Sequence, residues 1–176
     1  SQGVPQPYIS LLQDLYANQS AKVRTDVFSK TFNIQRGTKQ GDPLSSLLFN
    51  ALLEHAMRPI KQQWMDKKMG VLVGPTDACR LTNLRFADDV LLVARTQKQL
   101  SQTLRDMHES VSKFGLKLHP DKTKVLTNTV RKTGRGPDRN MIIDDLTIEI
   151  LPMDGYVKYL GRHISFDGPM QTEIKH

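Results

Sequence analysis

Two short apolar runs, Leu81–Phe86 and Val90–Ala94, are separated only by Ala87-Asp88-Asp89. A break this short leaves no room for a crossover, so the chain is expected to double back as a strand–turn–strand with two carboxylates at its tip. Two like charges at one tip repel unless a cation or a basic group offsets them. The residues alone leave two readings open. Asp tolerates turn geometry and hydrogen-bonds its own backbone, so the pair can serve the turn and nothing else. Alternatively, the carboxylates hold a hard divalent cation, because Mg²⁺ takes oxygen ligands and is usually held by one or two carboxylates plus substrate phosphates. A tight hairpin projects a carboxylate from a rigid sheet to a fixed point, which a two-metal displacement requires.

The rest of the chain alternates helical and extended patterns. Tyr8, Leu11, Leu12, Leu15 and Tyr16 recur at helical spacing and predict a helix from Pro5 to Gln19. Lys22–Phe28 and Thr31–Gln35 read as short strands joined at Ser29-Lys30, and Gly37 ends that pattern. Asp42-Pro43 is a helix start, with Asp as N-cap and Pro in the first turn. Leu44, Leu47, Leu48, Ala51 and Leu52 continue that helix toward a kink or stop near Pro59. Gly70–Pro75 reads as a short strand. Leu100, Leu104, Met107, Val111 and Phe114 mark an amphipathic helix over 97–114. Leu116–Leu118 and Val125–Thr127 flank a His119-Pro120-Asp121 turn, and Met141–Ile143, Leu146–Ile150 and Val157–Gly161 follow as short strands. The fold class is α+β, with strands mostly joined as hairpins. Three segments are expected: a core over 1–128, a basic Gly/Pro loop over 129–140, and a short-strand segment over 141–176.

Composition narrows the function classes. The 176 residues carry 25 Lys+Arg against 18 Asp+Glu, a net charge of +7. Residues 1–128 hold 18 basic and 11 acidic side chains, and residues 129–176 hold seven of each, so the excess lies in the first three quarters. Such a charge suits a polyanionic partner and equally suits ordinary solubility. One cysteine, Cys79, excludes an internal disulfide framework and a cysteine zinc cluster. No apolar run approaches the roughly 20 residues of a spanning helix. The first residues show neither a basic start nor an apolar stretch, so an intracellular protein of open compartment is expected.

Four segments, in order, carry a family resemblance. Phe86-Ala87-Asp88-Asp89 resembles the aromatic-x-Asp-Asp motif of reverse transcriptases, in the Ala form typical of non-LTR (LINE-type) retroelements and group II introns. RGTKQGDPLSSLLFN, residues 36–50, resembles the next upstream motif, and GLKLHPDKTKVL, residues 115–126, the downstream Gly-Leu…Lys-Thr segment. Tyr156-Val157-Lys158-Tyr159-Leu160-Gly161 is similar to the primer-grip motif. The resemblance covers roughly residues 1–165. It implies a polymerase right-hand palm, an antiparallel sheet with packed helices, and RNA-directed DNA polymerase activity: nucleotidyl transfer from dNTPs to a DNA primer on an RNA template.

The resemblance also implies roles. Asp88 and Asp89 would be catalytic ligands of Mg²⁺, with Asp88 the stronger. Lys122 would lie near the nucleotide phosphates as a candidate general acid for pyrophosphate. Arg36, Gln40, Gly41 and Phe86 would contact substrate or template, and Tyr159, Leu160 and Gly161 would support the primer. Ser46 stands where the family often has Pro, and His119 where Asn is usual before the Lys. The family also needs an Asp-x-x-x-Ala-Phe-Asp-like strand, for which no segment here qualifies; Asp14 and Asp26 lie outside any motif. The expectation is therefore a truncated palm, without fingers or first catalytic strand, active only in a longer polypeptide. The alternative is a non-catalytic, reverse-transcriptase-derived subunit with a structural or nucleic-acid-binding role, its truncated face covered by other protein subunits.

Overall fold

A computed structural model describes residues 3–35, 37–39, 41–128 and 140–166. The chain divides into two compact units, residues 1–51 and 52–176. The segment boundaries drawn above at residues 128 and 140 both fall inside the second unit. Residues 129–139, the basic loop, lie outside the described residues, and Asn140 already belongs to a strand.

In the first unit, helix α1 spans Gln6–Tyr16, with Pro5 at its N-cap. Strand β1 (Ser20–Ala21) pairs antiparallel with β2 (Phe32–Asn33), and a single bridge joins Arg24 to Phe28. The short strand expected over 22–28 is thus replaced by a tight reversal at residues 25–27. Val23 N–H donates to Ser29 Oγ, and Thr25 Oγ1 donates to the Val27 carbonyl. Asp26, at the centre of the reversal, is a favoured turn residue.

Helix α2 runs from Pro43 to Asp66. It passes through Pro59, where a kink or stop was expected. Pro59 and His55, four residues before it, are both exposed, so water can take the carbonyl that a proline N–H cannot reach. Leu53, Ala56, Met57 and Trp64, by contrast, are buried along one stripe that holds the helix in place.

In the second unit, β3 (Val71–Leu72) pairs with β4 (Arg80–Leu81), β5 (Asn83–Phe86) with β6 (Asp89–Leu92), and helix α3 spans Gln97–Ser112. Thr96 caps α3 by accepting from the Gln99 N–H at 3.1 Å. Strands β7 (Lys124–Val125), β8 (Asn140–Ile143) and β9 (Leu146–Ile150) form one sheet in the order β7-β9-β8; the β7–β9 pair is parallel. Strands β10 (Val157–Tyr159) and β11 (Arg162–Ile164) close as a hairpin. The described strands thus form five small sheets, not one continuous antiparallel sheet. Residues 116–118, expected as a strand, are irregular: Gly115, at φ +77°, turns the chain out of α3.

The core of this unit follows the periodicities. Leu104, Met107 and Val111 of α3 are buried at helical spacing, and Met141 and Ile143 of β8 alternate with exposed Ile142. Ile148 and Ile150 of β9 complete the apolar face, and α3 packs on β8 and β6. Two hydrogen bonds join α2 to α3. Trp64 Nε1–H donates to Asp106 Oδ2 at 2.8 Å, and Ser110 Oγ–H donates to the Ala56 carbonyl at 2.7 Å.

Candidate active site

The β5–β6 ladder pairs Asn83 with Leu92, Leu84 with Leu91, Arg85 with Val90, and Phe86 with Asp89. The turn is therefore two residues, Ala87-Asp88. Ala87 has φ +51°, a left-handed conformation that costs a non-glycine residue about 1–2 kcal/mol. Asp88 and Asp89 are exposed, as is Phe86, and among the described residues neither carboxylate makes an ion pair.

A second Asp-Asp turn in the same unit behaves differently. Asp144-Asp145 joins β8 to β9, with Asp144 itself in the left-handed position at φ +53°. There Arg105 Nε lies 3.3 Å from Asp144 Oδ1, and His108 Nε2 lies 4.0 Å from Asp145 Oδ1. At that tip an aspartate takes the strained turn position and helix α3 brings up basic groups. At Asp88-Asp89 the strain falls on Ala87, and the carboxylates are left open to solvent.

The open hairpin is anchored on its other side. Arg85 Nη2 donates to Glu54 Oε2 of α2 at 2.6 Å. Glu54 also meets Lys61 Nζ at 3.3 Å and Arg58 Nε at 3.4 Å. The Arg85 hydrogen bond is the main reason that the Glu54 carboxyl is lowered from 4.5 to about 2.

In the first unit, Gly41 has φ +86°, and a Cβ there would meet open space, so the backbone angle and not crowding favours glycine. Asp42 Oδ1 accepts from the Leu44 N–H at 2.9 Å, and Ser45 Oγ–H donates to the Lys39 carbonyl at 2.6 Å. The Asp-Pro start of α2 therefore forms as its chemistry dictates. Arg36 and Gln40 lie outside the described residues.

Lys122 sits in the 119–123 turn, where its N–H donates to the His119 carbonyl at 3.1 Å, and its side chain is exposed. Its neighbour Lys124 is committed to Glu149 of β9 at 2.7 Å. Tyr159 ends β10 opposite Arg162, and Leu160-Gly161 form the two-residue β10–β11 turn, with Leu160 at φ +50° and Gly161 at φ +80°. The Tyr156 and His163 rings are in tilted contact, centroids 4.4 Å apart and planes 50° apart.

Residues 2–164 match the sequence profile of the family described as reverse transcriptase (RNA-dependent DNA polymerase). The chain belongs to the reverse transcriptase family. It is similar to the Retrovirus-related Pol polyprotein from type-1 retrotransposable element R2 of Popillia japonica, 30% identical over 94% of this chain and 26% of that protein. It is also similar to the corresponding Drosophila melanogaster protein from type-2 retrotransposable element R2DM, 34% identical over 68% of this chain and 11% of that protein. A Nasonia vitripennis R2 polyprotein is 28% identical over 91% of this chain and 16% of its own length. This reverse transcriptase domain thus spans between about a tenth and a quarter of these relatives.

Reverse transcriptases generally use divalent metal ions. Asp88 and Asp89 offer hard, solvent-exposed oxygen donors, which suits such an ion. Among the described residues, no group of three or more His, Cys, Asp or Glu side chains gathers around one point. Among those residues too, no helix of the domain is long and apolar enough to cross a membrane.

Sequence reasoning passed over Arg85 and Glu54. For Arg85 the signal was present: an arginine interrupts the apolar run Leu81–Phe86. A charge within an apolar pattern calls for a partner.

Proposed function

We propose that this chain contributes the Asp88-Asp89 hairpin of a palm to an RNA-directed DNA polymerase, acting with Mg²⁺ on an RNA template, a DNA primer and dNTPs. The observation that carries this reading is the exposed carboxylate pair, outside the ion pairs of the described residues, at the tip of a strained and anchored hairpin within a reverse transcriptase domain. Asp88 and Asp89 would hold the cation. When bound, Mg²⁺ supplies the positive charge that offsets the attacking and leaving oxygens of nucleotidyl transfer. Phe86 and Asp89, paired across the ladder, share one face of the hairpin, and that face would lie toward the reacting atoms. Lys122, exposed and outside the ion pairs of the described residues, would donate a proton to pyrophosphate. The β10–β11 turn would carry the primer strand.

Phosphoryl transfer is catalysed mostly by positioning and electrostatics, and two carboxylates hold less cation charge than a complete site. The reading therefore expects a further carboxylate from another segment of a longer polypeptide. In that polypeptide, Asp88→Ala should reduce Mg²⁺-dependent primer extension by a factor on the order of 10³ or more, with folding unchanged. Retained extension would remove Asp88 from the metal site.

The basic excess over residues 1–128 also suits a second reading, a non-catalytic subunit that keeps the fold for nucleic-acid or protein contacts. Primer extension by the longer polypeptide separates the two: the second reading expects none with the aspartates intact.

A further inference from the structure

We propose that Arg85 and Glu54 are positioning residues, a tether between β5 and α2 that fixes where the Asp88 turn points. The inference rests on the reading of Asp88 as a cation ligand, but the geometry stands apart from it. A two-stranded hairpin is marginal by itself in water. Among the described residues, β5 and β6 pair only with each other. Strand β6 gains support from α3. Strand β5 is held to α2 through Arg85 Nη2, 2.6 Å from Glu54 Oε2.

The tether acts close to the turn. Arg85 pairs with Val90, one step from the Phe86–Asp89 pair that flanks Ala87-Asp88. Side chains alternate across a strand, so holding Arg85 against α2 sends Phe86 and Asp89 to the opposite face. Glu54 does not need Arg85 for its own charge balance. Lys61 and Arg58, on the same helix, already lie 3.3 and 3.4 Å away. The bond from Arg85 is the one that reaches out of α2 and fixes a second element.

The test uses the full 176-residue chain, ¹⁵N-labelled, with two readouts: amide hydrogen exchange, and broadening of the Asp88 and Asp89 amides by added Mn²⁺ as the probe ion. Arg85→Ala should speed exchange of the ladder amides over residues 84–91 by about tenfold or more, while Ile143 and Ile148 in the core change far less. It should also weaken Mn²⁺ binding at Asp88 several-fold. Arg85→Lys should restore part of both, and Lys61→Ala, which removes a Glu54 partner without touching the hairpin, should change neither. If Trp64 fluorescence shows Arg85→Ala unfolded, Arg85→Gln carries the same expectation at full side-chain length. Equal acceleration in hairpin and core, or an equal effect of Lys61→Ala, would overturn the positioning role. So would an unchanged hairpin in Arg85→Ala. Loosening of the hairpin in a chain that never broadens with Mn²⁺ would support the tether and count instead against Asp88 as a metal ligand.

Discussion

At the scale of single residues, the difference between a turn aspartate and a candidate ligand lies in what surrounds it. Asp88-Asp89 and Asp144-Asp145 are the same dipeptide at the tip of the same kind of hairpin, yet only the second meets basic groups from α3. Residue type and spacing are blind to this, because the basic partners come from an element about 40 residues away in sequence. Glu54 escapes such reading for the same reason, being defined by Arg85, 31 residues on. Its pairing makes a pH prediction. A carboxyl lowered from 4.5 to about 2 adds stability that is fully present above its unfolded value and is lost as the pH falls through the folded one. Wild type should exceed Glu54→Gln by about 1.5–3 kcal/mol near neutral pH, the range for hydrogen bonds to charged groups. The gap should shrink below pH 4.5 and close near pH 2. Denaturant titrations followed by Trp64 fluorescence measure it, and a gap constant across that range would show that Arg85 does not depend on the carboxylate charge.

At the scale of elements, what the sequence made legible were those whose pattern and packing agree. Helix α3 was readable because Leu104, Met107 and Val111 are both periodic and buried, and the β5–β6 hairpin because so short a break permits no other connection. Helix α2 outran its expected stop because burial of Ala56, Met57 and Trp64 outweighs the bond that Pro59 removes. Gly70 offers a test of such tertiary control. It combines φ +84° with close approach: a Cβ would run into the Leu81 carbonyl oxygen and lie 2.8 Å from Thr82 Cγ2. Its N–H also donates to Gln99 Oε1 at 3.1 Å, tying the start of β3 to α3. Gly70→Ala should therefore cost about 2–4 kcal/mol, since backbone cannot yield as a flexible side chain does. Gly161→Ala, at a similar φ of +80° but in open space, should cost only about 1–2 kcal/mol. Denaturant titrations of the two variants check the difference, and equal losses would mean that the backbone angle alone sets the cost at Gly70.

At the scale of the whole molecule, the +7 charge is only partly available to a partner. Arg58, Lys61, Arg80, Arg85, Arg105 and Lys124 are tied to carboxylates of the same chain. Arg95, Lys98, Lys117 and Lys122 are exposed and stand outside the ion pairs of the described residues. Side chains of this second kind can displace condensed counterions from phosphates, whereas tied ones must first give up a carboxylate. A binder making about six phosphate contacts loses affinity on the order of 10³ between 50 and 200 mM salt. Fluorescence anisotropy with a labelled RNA–DNA duplex should show a loss of that size. Replacing both Lys98 and Lys117 by Ala should flatten the slope of log affinity against log salt by about two contacts' worth. Arg58→Ala should leave the slope unchanged, because that side chain already answers to Glu54. If Arg58→Ala flattened the slope as much as a free lysine does, intramolecular pairing would not be what withholds charge from the phosphates. Affinity that stays flat with salt would assign the basic excess to solubility and favour the protein-contacting subunit over the polymerase.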